Sequence, residues 1–173
     1  MKAVMLVKAF NESTKELGEV ACMEVPKPEI VNDDEVLIKV AYASVCGSDP
    51  HLLEGYFELP IPSPCGHELS GTIEALGPKA NRKGLKVGDK VTGNFYRTCG
   101  SCDYCLGGES QFCEHAEGPG AAQAEYIVWH EDQVYKLPEG VSLLDAALTE
   151  PFNIAVRACL LYTSPSPRDR QKS

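Results

Sequence analysis

The apolar and polar positions along residues 36–42 alternate with a period of two. Val36, Ile38 and Val40 fall on one face, as expected for a strand with one side buried. Similar short runs recur between Gly, Pro, Asn or Asp turn signals, at residues 3–7, 69–76, 90–92 and 124–129. Repeated short strands with dense turns predict an α+β, mainly β domain, a barrel or sandwich rather than a doubly wound sheet.

Helical signals are confined to the last third of the chain. Ser142 precedes the run 143–147 as an N-cap, and Pro151 begins a second helical stretch that continues to Ala158. Beyond Ala158 the periodic pattern is lost, and residues 163–167 read Thr-Ser-Pro-Ser-Pro. The sequence therefore predicts that native structure ends near Ala158.

Length and charge narrow the possible partners. The chain has 173 residues, enough for one well-buried domain, and a formal net charge of -9 with a pI of about 4.9. An acidic protein is repelled by nucleic acid and by anionic membranes, so neither partner is expected. We read no signal peptide and no membrane-length apolar stretch, and we expect a cytoplasmic protein. In a reducing compartment the eight cysteines suit metal ligation better than disulfides.

Four cysteines with C-x2-C-x2-C-x7-C spacing lie in a glycine-rich, polar segment: Cys99, Cys102, Cys105 and Cys113. Four thiolates can surround zinc tetrahedrally and leave no open position, so the metal would stabilise a loop that has little apolar content. The competing hypothesis is an iron–sulfur cluster. The bacterial ferredoxin pattern, however, places its fourth cysteine after three residues and follows it with proline, whereas Glu114 follows here.

A second set of potential ligands is scattered over three segments. Cys46 begins the run 46–51, His67 and Glu68 are adjacent, and Glu150 precedes a proline. Singly, each has an ordinary explanation as a buried small side chain or as core or surface decoration. Together, a thiolate, an imidazole and carboxylates have the composition of an open zinc site.

The order of these motifs resembles a known family. A Gly-His-Glu triplet is followed by small residues at fixed intervals, and the positions concerned are Gly66, His67, Glu68, Gly71, Gly77 and Ala80. This pattern, between Cys46 and the four-cysteine lobe, resembles the zinc-dependent medium-chain alcohol dehydrogenases over residues 1–158. The resemblance implies a GroES-like, partly open β-barrel with a four-cysteine zinc lobe.

The resemblance also implies a ligand set. Cys46, His67 and Glu150 would bind the catalytic zinc, with Glu68 as an exchangeable ligand or a neighbouring support. Glutamate at position 150 is similar to the sorbitol, butanediol and threonine dehydrogenase branch. Asp49 resembles the carboxylate that orients the ligand histidine, although an aspartate that caps a Ser-Asp-Pro turn is the alternative.

Proton transfer is implied for two further residues. Ser48 and His51 resemble the relay that carries the hydroxyl proton to solvent, and a surface histidine is the alternative for His51. Zinc can lower the pKa of bound water to about 7, which makes it the principal activator of an alcohol. A hydrogen bond to a charged group, worth roughly 1.5–3 kcal/mol, is too weak to replace it.

Two positions depart from the family pattern. Cys65 stands where an apolar residue often precedes Gly-His-Glu, and we interpret it as core packing, with a reactive or metal-competing thiol as the alternative. Gln123 stands where phenylalanine usually precedes Ala-Glu-Tyr. We expect it to reshape the substrate wall.

The sequence contains no motif for binding the dinucleotide that would accept the hydride. A dinucleotide-binding fold requires G-x-G-x-x-G between a strand and a helix, and the nearest match, at residues 118–120, lacks the third glycine and precedes a strand. The family places its Rossmann domain after the Glu150-Pro151 helix. NAD or NADP would therefore be a cofactor of the complete enzyme, and this chain alone is expected to be inactive.

The C-terminal residues suggest why a nucleotide-binding domain is missing from this sequence. Residues 159–169 read as a codon-by-codon translation of a transposase-type sequencing adaptor, with 170–173 as read-through. We predict a truncated gene and a non-native tail at 159–173; the alternative is a genuine tail for proline-directed phosphorylation or SH3-type recognition.

Two functions from different classes follow. The first is part of an oxidoreductase, expected to be a homo-oligomer when complete, that acts on a secondary alcohol, polyol or hydroxy amino acid. The second is a non-catalytic, zinc-binding GroES-like module, which would need only the four-cysteine lobe. A nucleic-acid-binding zinc ribbon is disfavoured because no basic face adjoins the lobe.

Overall fold

A computed structural model describes residues 1–118 and 120–163. Its strands are β1 (Lys2–Lys8), β2 (Glu19–Glu24), β3 (Glu35–Ala43), β4 (Ser63–Pro64), β5 (Leu69–Leu76), β6 (Lys90–Gly93), β7 (Tyr126–His130) and β8 (Val134–Lys136). Its α-helices are α1 (Asp49–Leu53), α2 (Asp103–Leu106), α3 (Leu143–Ala146) and α4 (Thr149–Thr163), and short 3-10 turns lie at Ser110–Phe112 and Glu131–Gln133.

The strands form two antiparallel sheets. The larger has the order β7-β3-β5-β6-β8, and the smaller has the order β2-β1-β4. The sheets meet beside β7, where the Val4 amide donates to the Gln123 carbonyl at 2.8 Å and Ala3 forms a bridge with Ala124. This junction ties the N-terminal strand to the segment that precedes β7.

The hydrophobic core lies on one face of the five-stranded sheet. Val36 and Ile38 of β3 are fully buried and pack with Ile73 of β5 and Trp129 of β7. Leu37 between them is buried as well, so the predicted alternation is seen only from Ile38 to Ala41, and Tyr42 near the end of β3 is 47% exposed. The hydrophobic effect thus fixes the first half of β3, and its end leads into the loop that carries Cys46.

Sheet pairing brings two distant loops together. β3 and β5 are antiparallel, and Ala43 at the end of β3 pairs with Leu69 at the start of β5. Cys46 follows β3 by a few residues, and His67 and Glu68 immediately precede β5. The register therefore places the thiol and the imidazole at the same edge of the sheet.

The mainly β prediction is confirmed. The described residues form open sheets without a closed barrel, so the partly open barrel is not confirmed. Helix α4 continues to Thr163, past the predicted end at Ala158, because no residue within 152–163 interrupts it. Residues 164–173 of the predicted tail lie outside the described residues. Across residues 1–118 and 120–163, every helix is too short or too polar to cross a bilayer.

Candidate metal centres

Cys46, His67 and Glu68 come together at the edge of the large sheet. One ligand atom from each lies within 4.8 Å of the others. Glu68 is almost fully buried, and Cys46 and His67 are partly buried. The sequence-predicted thiolate, imidazole and neighbouring carboxylate are therefore within reach of a single ion.

Asp49 connects the cysteine loop to the histidine loop. Its Oδ2 accepts a hydrogen bond from the amide of Cys46, three residues earlier, at 2.8 Å. Its Oδ1 lies 3.8 Å from Nδ1 of His67. The same side chain thus stabilises the turn that carries the cysteine and lies beside the predicted ligand histidine.

Glu68 has an unusual carboxylate. Its Oε1 is buried and has no hydrogen-bond partner among the described residues. An unpaired buried carboxylate oxygen is costly unless a cation or proton compensates it. The soft thiolate, the imidazole and this oxygen form a donor set that suits zinc.

Glu150, at the start of α4, lies near this cluster without being a member of the 4.8 Å group. Burial raises the pKa of the Glu150 carboxyl, and the neighbouring Glu68 carboxylate raises it further, while His67 acts in the opposite direction. The two glutamates are therefore close enough to repel each other when both are ionised.

The two predicted relay residues occupy different surroundings. Ser48 precedes α1 and lines a cleft, whereas the exposed His51 pairs through Nδ1 with Glu54 at 2.8 Å. Within the described residues, no side-chain hydrogen bond joins Ser48 to His51. Pro50 lies in the first turn of α1, where its missing N–H is tolerated.

A cleft of about 450 Å³ opens beside the cluster. Its lining is mainly apolar and includes Leu52, Phe57, Leu59 and Phe95. His67 reaches the cleft, and its ring lies 4.9 Å from that of Phe95. A small molecule in this cleft would contact the imidazole while its apolar part was shielded from water.

The four predicted lobe cysteines also converge, with all four sulfur atoms within 4.8 Å of one another. Sγ of Cys99 lies 3.9 Å from Sγ of Cys105, and the Cys102–Cys113 sulfur pair has the same separation. Zinc–sulfur bonds of about 2.3 Å require tetrahedral edges of about 3.8 Å. The spacing suits one central ion and is far longer than a disulfide bond of about 2.05 Å.

Backbone amides favour the thiolate form in this lobe. The amides of Ser101 and Cys102 donate to Sγ of Cys99, and these contacts lower the pKa of the Cys99 thiol to about 5. Burial and neighbouring sulfurs raise the pKa of Cys105 to about 12. A cation is therefore needed before all four sulfurs can be deprotonated together at neutral pH.

Of the two departures from the family pattern, Cys65 lies where the sequence predicts and Gln123 does not. Cys65 is 4% exposed, in agreement with core packing, and burial raises the pKa of its thiol. The Gln123 side chain, expected at the substrate wall, is not among the residues that line the cleft. It is directed instead towards Asp49.

A mainly β domain with an open sulfur, nitrogen and oxygen cluster and a four-sulfur lobe belongs to the class of metal-binding domains with one open and one closed candidate site. The family model described as the alcohol dehydrogenase GroES-like domain matches residues 32–139. The chain belongs to this alcohol dehydrogenase family.

Relatives of known activity support the same family. The chain is 39% identical over 150 residues to the sorbitol dehydrogenase of Halalkalibacterium halodurans, a match that covers 84% of this chain and 43% of that protein. It is 38% identical to the D-arabitol-phosphate dehydrogenase of Enterococcus avium, over 88% of this chain and 44% of the relative. The chain thus spans less than half the length of these relatives.

Solved structures agree with the sequence relatives. A Clostridium scindens protein described as a zinc-binding dehydrogenase superposes with a TM-score of 0.86 and 35% identity, over 95% of this chain and 49% of that one. Galactitol-1-phosphate dehydrogenase from Escherichia coli gives a TM-score of 0.81 and 31% identity, over 94% and 45% of the two chains. The fold described above is therefore that of zinc-binding dehydrogenases.

Proposed function

We propose that this chain is the catalytic-domain portion of a longer zinc-dependent dehydrogenase. The complete enzyme transfers a hydride from the carbon of a secondary alcohol, polyol or hydroxy amino acid to NAD or NADP, and the hydroxyl proton leaves to solvent. The observation that carries the proposal is the Cys46, His67 and Glu68 cluster beside an apolar cleft. The dehydrogenase activities of the relatives support the same reaction class.

Zinc at this cluster would be held by Cys46 and His67, with Glu150 and Glu68 as the available carboxylates. When bound, it would lower the pKa of a hydroxyl group and stabilise developing negative charge. Asp49 lies beside Nδ1 of His67 and so leaves Nε2 free for a ligand bond. Apolar side chains such as Phe57 and Phe95 would exclude water from the reacting carbon.

Ser48 lines the cleft, and its hydroxyl would accept the substrate's proton while it donates its own proton onward. His51 is exposed and would pass that proton to solvent, which requires either a bridging water or a rearrangement of its contact with Glu54. The cysteine lobe would hold a second zinc with a purely structural role.

The alternative is a non-catalytic zinc-binding module. Such a module would use the four-cysteine lobe and would have no need for a buried, unpaired Glu68 oxygen beside a cysteine and a histidine. Elemental analysis distinguishes the two functions. We expect two zinc ions in the native chain and one in Cys46→Ser, with the lobe still folded; one zinc in both proteins would refute the catalytic proposal.

Activity requires a cofactor domain. Positioning of reactants contributes about 7–11 kcal/mol to catalysis, so we expect this chain alone to be silent with diols, polyols and threonine. Fusion to the part of the H. halodurans relative that lies beyond the matched region should restore zinc-dependent formation of NADH or NADPH. A fully zinc-loaded fusion without turnover, while the parent relative remains active, would count against the proposed function.

A further inference from the structure

Gln123 lies between the two loops that carry the candidate zinc ligands. The backbone N–H of Gln123 donates to the Cys65 carbonyl at 3.0 Å, and the backbone N–H of Ala122 donates to the Gly66 carbonyl at 3.1 Å. The segment before β7 is thus hydrogen-bonded to the residues that precede His67. The backbone at position 123 is fixed against the histidine loop.

The side chain of Gln123 reaches the other loop. Its Nε2 donates to Oδ2 of Asp49 at 3.3 Å and lies 3.5 Å from the Ser44 carbonyl oxygen. Both partners can only accept, a carboxylate and a carbonyl, so the amide nitrogen must face them. Ser44 and Asp49 flank Cys46, and Gln123 therefore contacts the cysteine loop on both sides of the thiol.

These contacts fix the orientation of the Asp49 carboxylate. Oδ2 receives two donors, the Cys46 amide at 2.8 Å and Gln123 at 3.3 Å, and Oδ1 remains directed towards His67. A carboxylate held in this way can fix the orientation of a ligand imidazole. Without the Gln123 amide, Asp49 would keep a single strong donor and could rotate about its χ2 angle.

Local packing restricts Gln123 to this position. Gly66 has φ of +84°, and a Cβ atom there would lie 2.4 Å from Cγ of Gln123 and 2.8 Å from its backbone nitrogen. The glycine of the Gly-His-Glu triplet therefore makes room for the glutamine stem. The fit places the amide beneath Asp49 and away from the cleft lining.

We propose that Gln123 is a positioning residue that holds the cysteine loop and the histidine loop in the geometry needed to bind the catalytic zinc. This inference rests on the proposed function, since it assumes that Cys46 and His67 share an ion. It assigns to position 123 a role in metal affinity and none in substrate contact.

Gln123→Met tests this role because methionine keeps the length of the side chain and removes the donor. Gln123→Glu is the second variant, and it places a carboxylate against Asp49. Substitution of residues that support metal ligands lowers affinity about 10–100-fold, and we expect about 10-fold for Gln123→Met because Gln123 acts through Asp49. Gln123→Glu should lose more, because two carboxylates then face each other.

Zinc affinity is measured by competition with a chromophoric chelator on the full chain. The Cys46-site ion is identified as the one absent from Cys46→Ser, and the lobe zinc serves as an internal reference. Gln111→Met is the matched control, since Gln111 is exposed in the Ser110–Phe112 turn. We expect zinc affinity at the Cys46 site to fall from the native protein to Gln123→Met and further to Gln123→Glu. Affinity at the lobe should stay the same, and Gln111→Met should change neither site.

Equal affinity in native protein, Gln123→Met and Gln123→Glu would overturn the inference while leaving the proposed function intact. Equal losses at both zinc sites would also overturn it, because that result describes general destabilisation. A native chain that binds only the lobe zinc would refute the proposed function, and the inference would fall with it.

Discussion

The four-cysteine lobe should lose its order when one ligand is removed, while the sheets remain folded. Cys99→Ser is the most informative change because Sγ of Cys99 accepts two backbone amides in addition to its predicted bond to zinc. The core cluster contains no residue of the 99–113 segment. The stability of the core should therefore be nearly independent of the lobe.

The expected magnitude follows from what else could hold the lobe. Ordering the 15 residues of segment 99–113 costs about 22 kcal/mol at about 1.5 kcal/mol per residue. Six backbone hydrogen bonds that begin and end within the segment contribute about 6 kcal/mol at about 1 kcal/mol each. Neither α2 nor the 3-10 turn contains a buried residue, so hydrophobic burial adds little. The remaining 16 kcal/mol or so matches the roughly 10–16 kcal/mol contributed by structural zinc.

Hydrogen exchange provides the assay. In Cys99→Ser, the amides of Cys102 and Gly107 should exchange rapidly, whereas those of β3 should keep their native protection. Cys22→Ser, at an exposed cysteine outside the lobe, is the control and should change neither region. Retention of the lobe zinc with native protection at Cys102 would refute the reasoning, as would equal loss of protection in the lobe and in β3.

Three further outcomes can be measured. Gly66→Ala should lower the free energy of unfolding by about 1–3 kcal/mol through backbone strain. It should also lower zinc affinity at the Cys46 site, because the new methyl group displaces Gln123. Native affinity in a chelator titration would contradict this expectation. The His130 hydrogen bond lowers the pKa of Asp34 from its ordinary value of 3.8, so its stabilisation is present above that pH and is lost as the pH falls through the lower folded value. Denaturant titrations of Asp34→Ala should show a deficit at pH 7 that disappears in acid, and a deficit that grows in acid would reverse the sign. Deletion of 159–173 should leave the melting temperature unchanged because α4 contains no buried residue, and a large drop would show that the tail is native.

Strong hydrophobic patterns made much of the fold predictable. β5 coincides with the predicted run 69–76, since its alternation is bounded by clear turn residues. β2 was not predicted because its residues are mostly exposed and carry no apolar stripe, and its position is set by pairing with β1. β8, only three residues long, is equally dependent on its neighbour β6.

The residues of the candidate sites also differ in how far the sequence could predict them. The lobe cysteines could be predicted because their ligands lie within one short segment with metal-binding spacing. Cys46 and His67 are far apart in sequence, and their proximity required the family resemblance or the β3–β5 register. Gln123 could be recognised only as a departure from the family pattern. Its contact with Asp49 depends on a junction between the sheets that no local pattern encodes.

The electrostatics of the Cys46 cluster argue for a cation independently of the family resemblance. Glu68 is buried with an unpaired oxygen, and the nearby Glu150 has a raised pKa because of burial and of Glu68 itself. Without a cation, the unpaired oxygen of Glu68 would remain buried beside a second carboxyl group with nothing to compensate it, at a cost to stability. A divalent ion removes the repulsion between the carboxylates and satisfies the unpaired oxygen. Because the thiol of Cys46 and the imidazole of His67 complete the set, the ion should be zinc-like rather than magnesium or calcium, which prefer oxygen ligands alone.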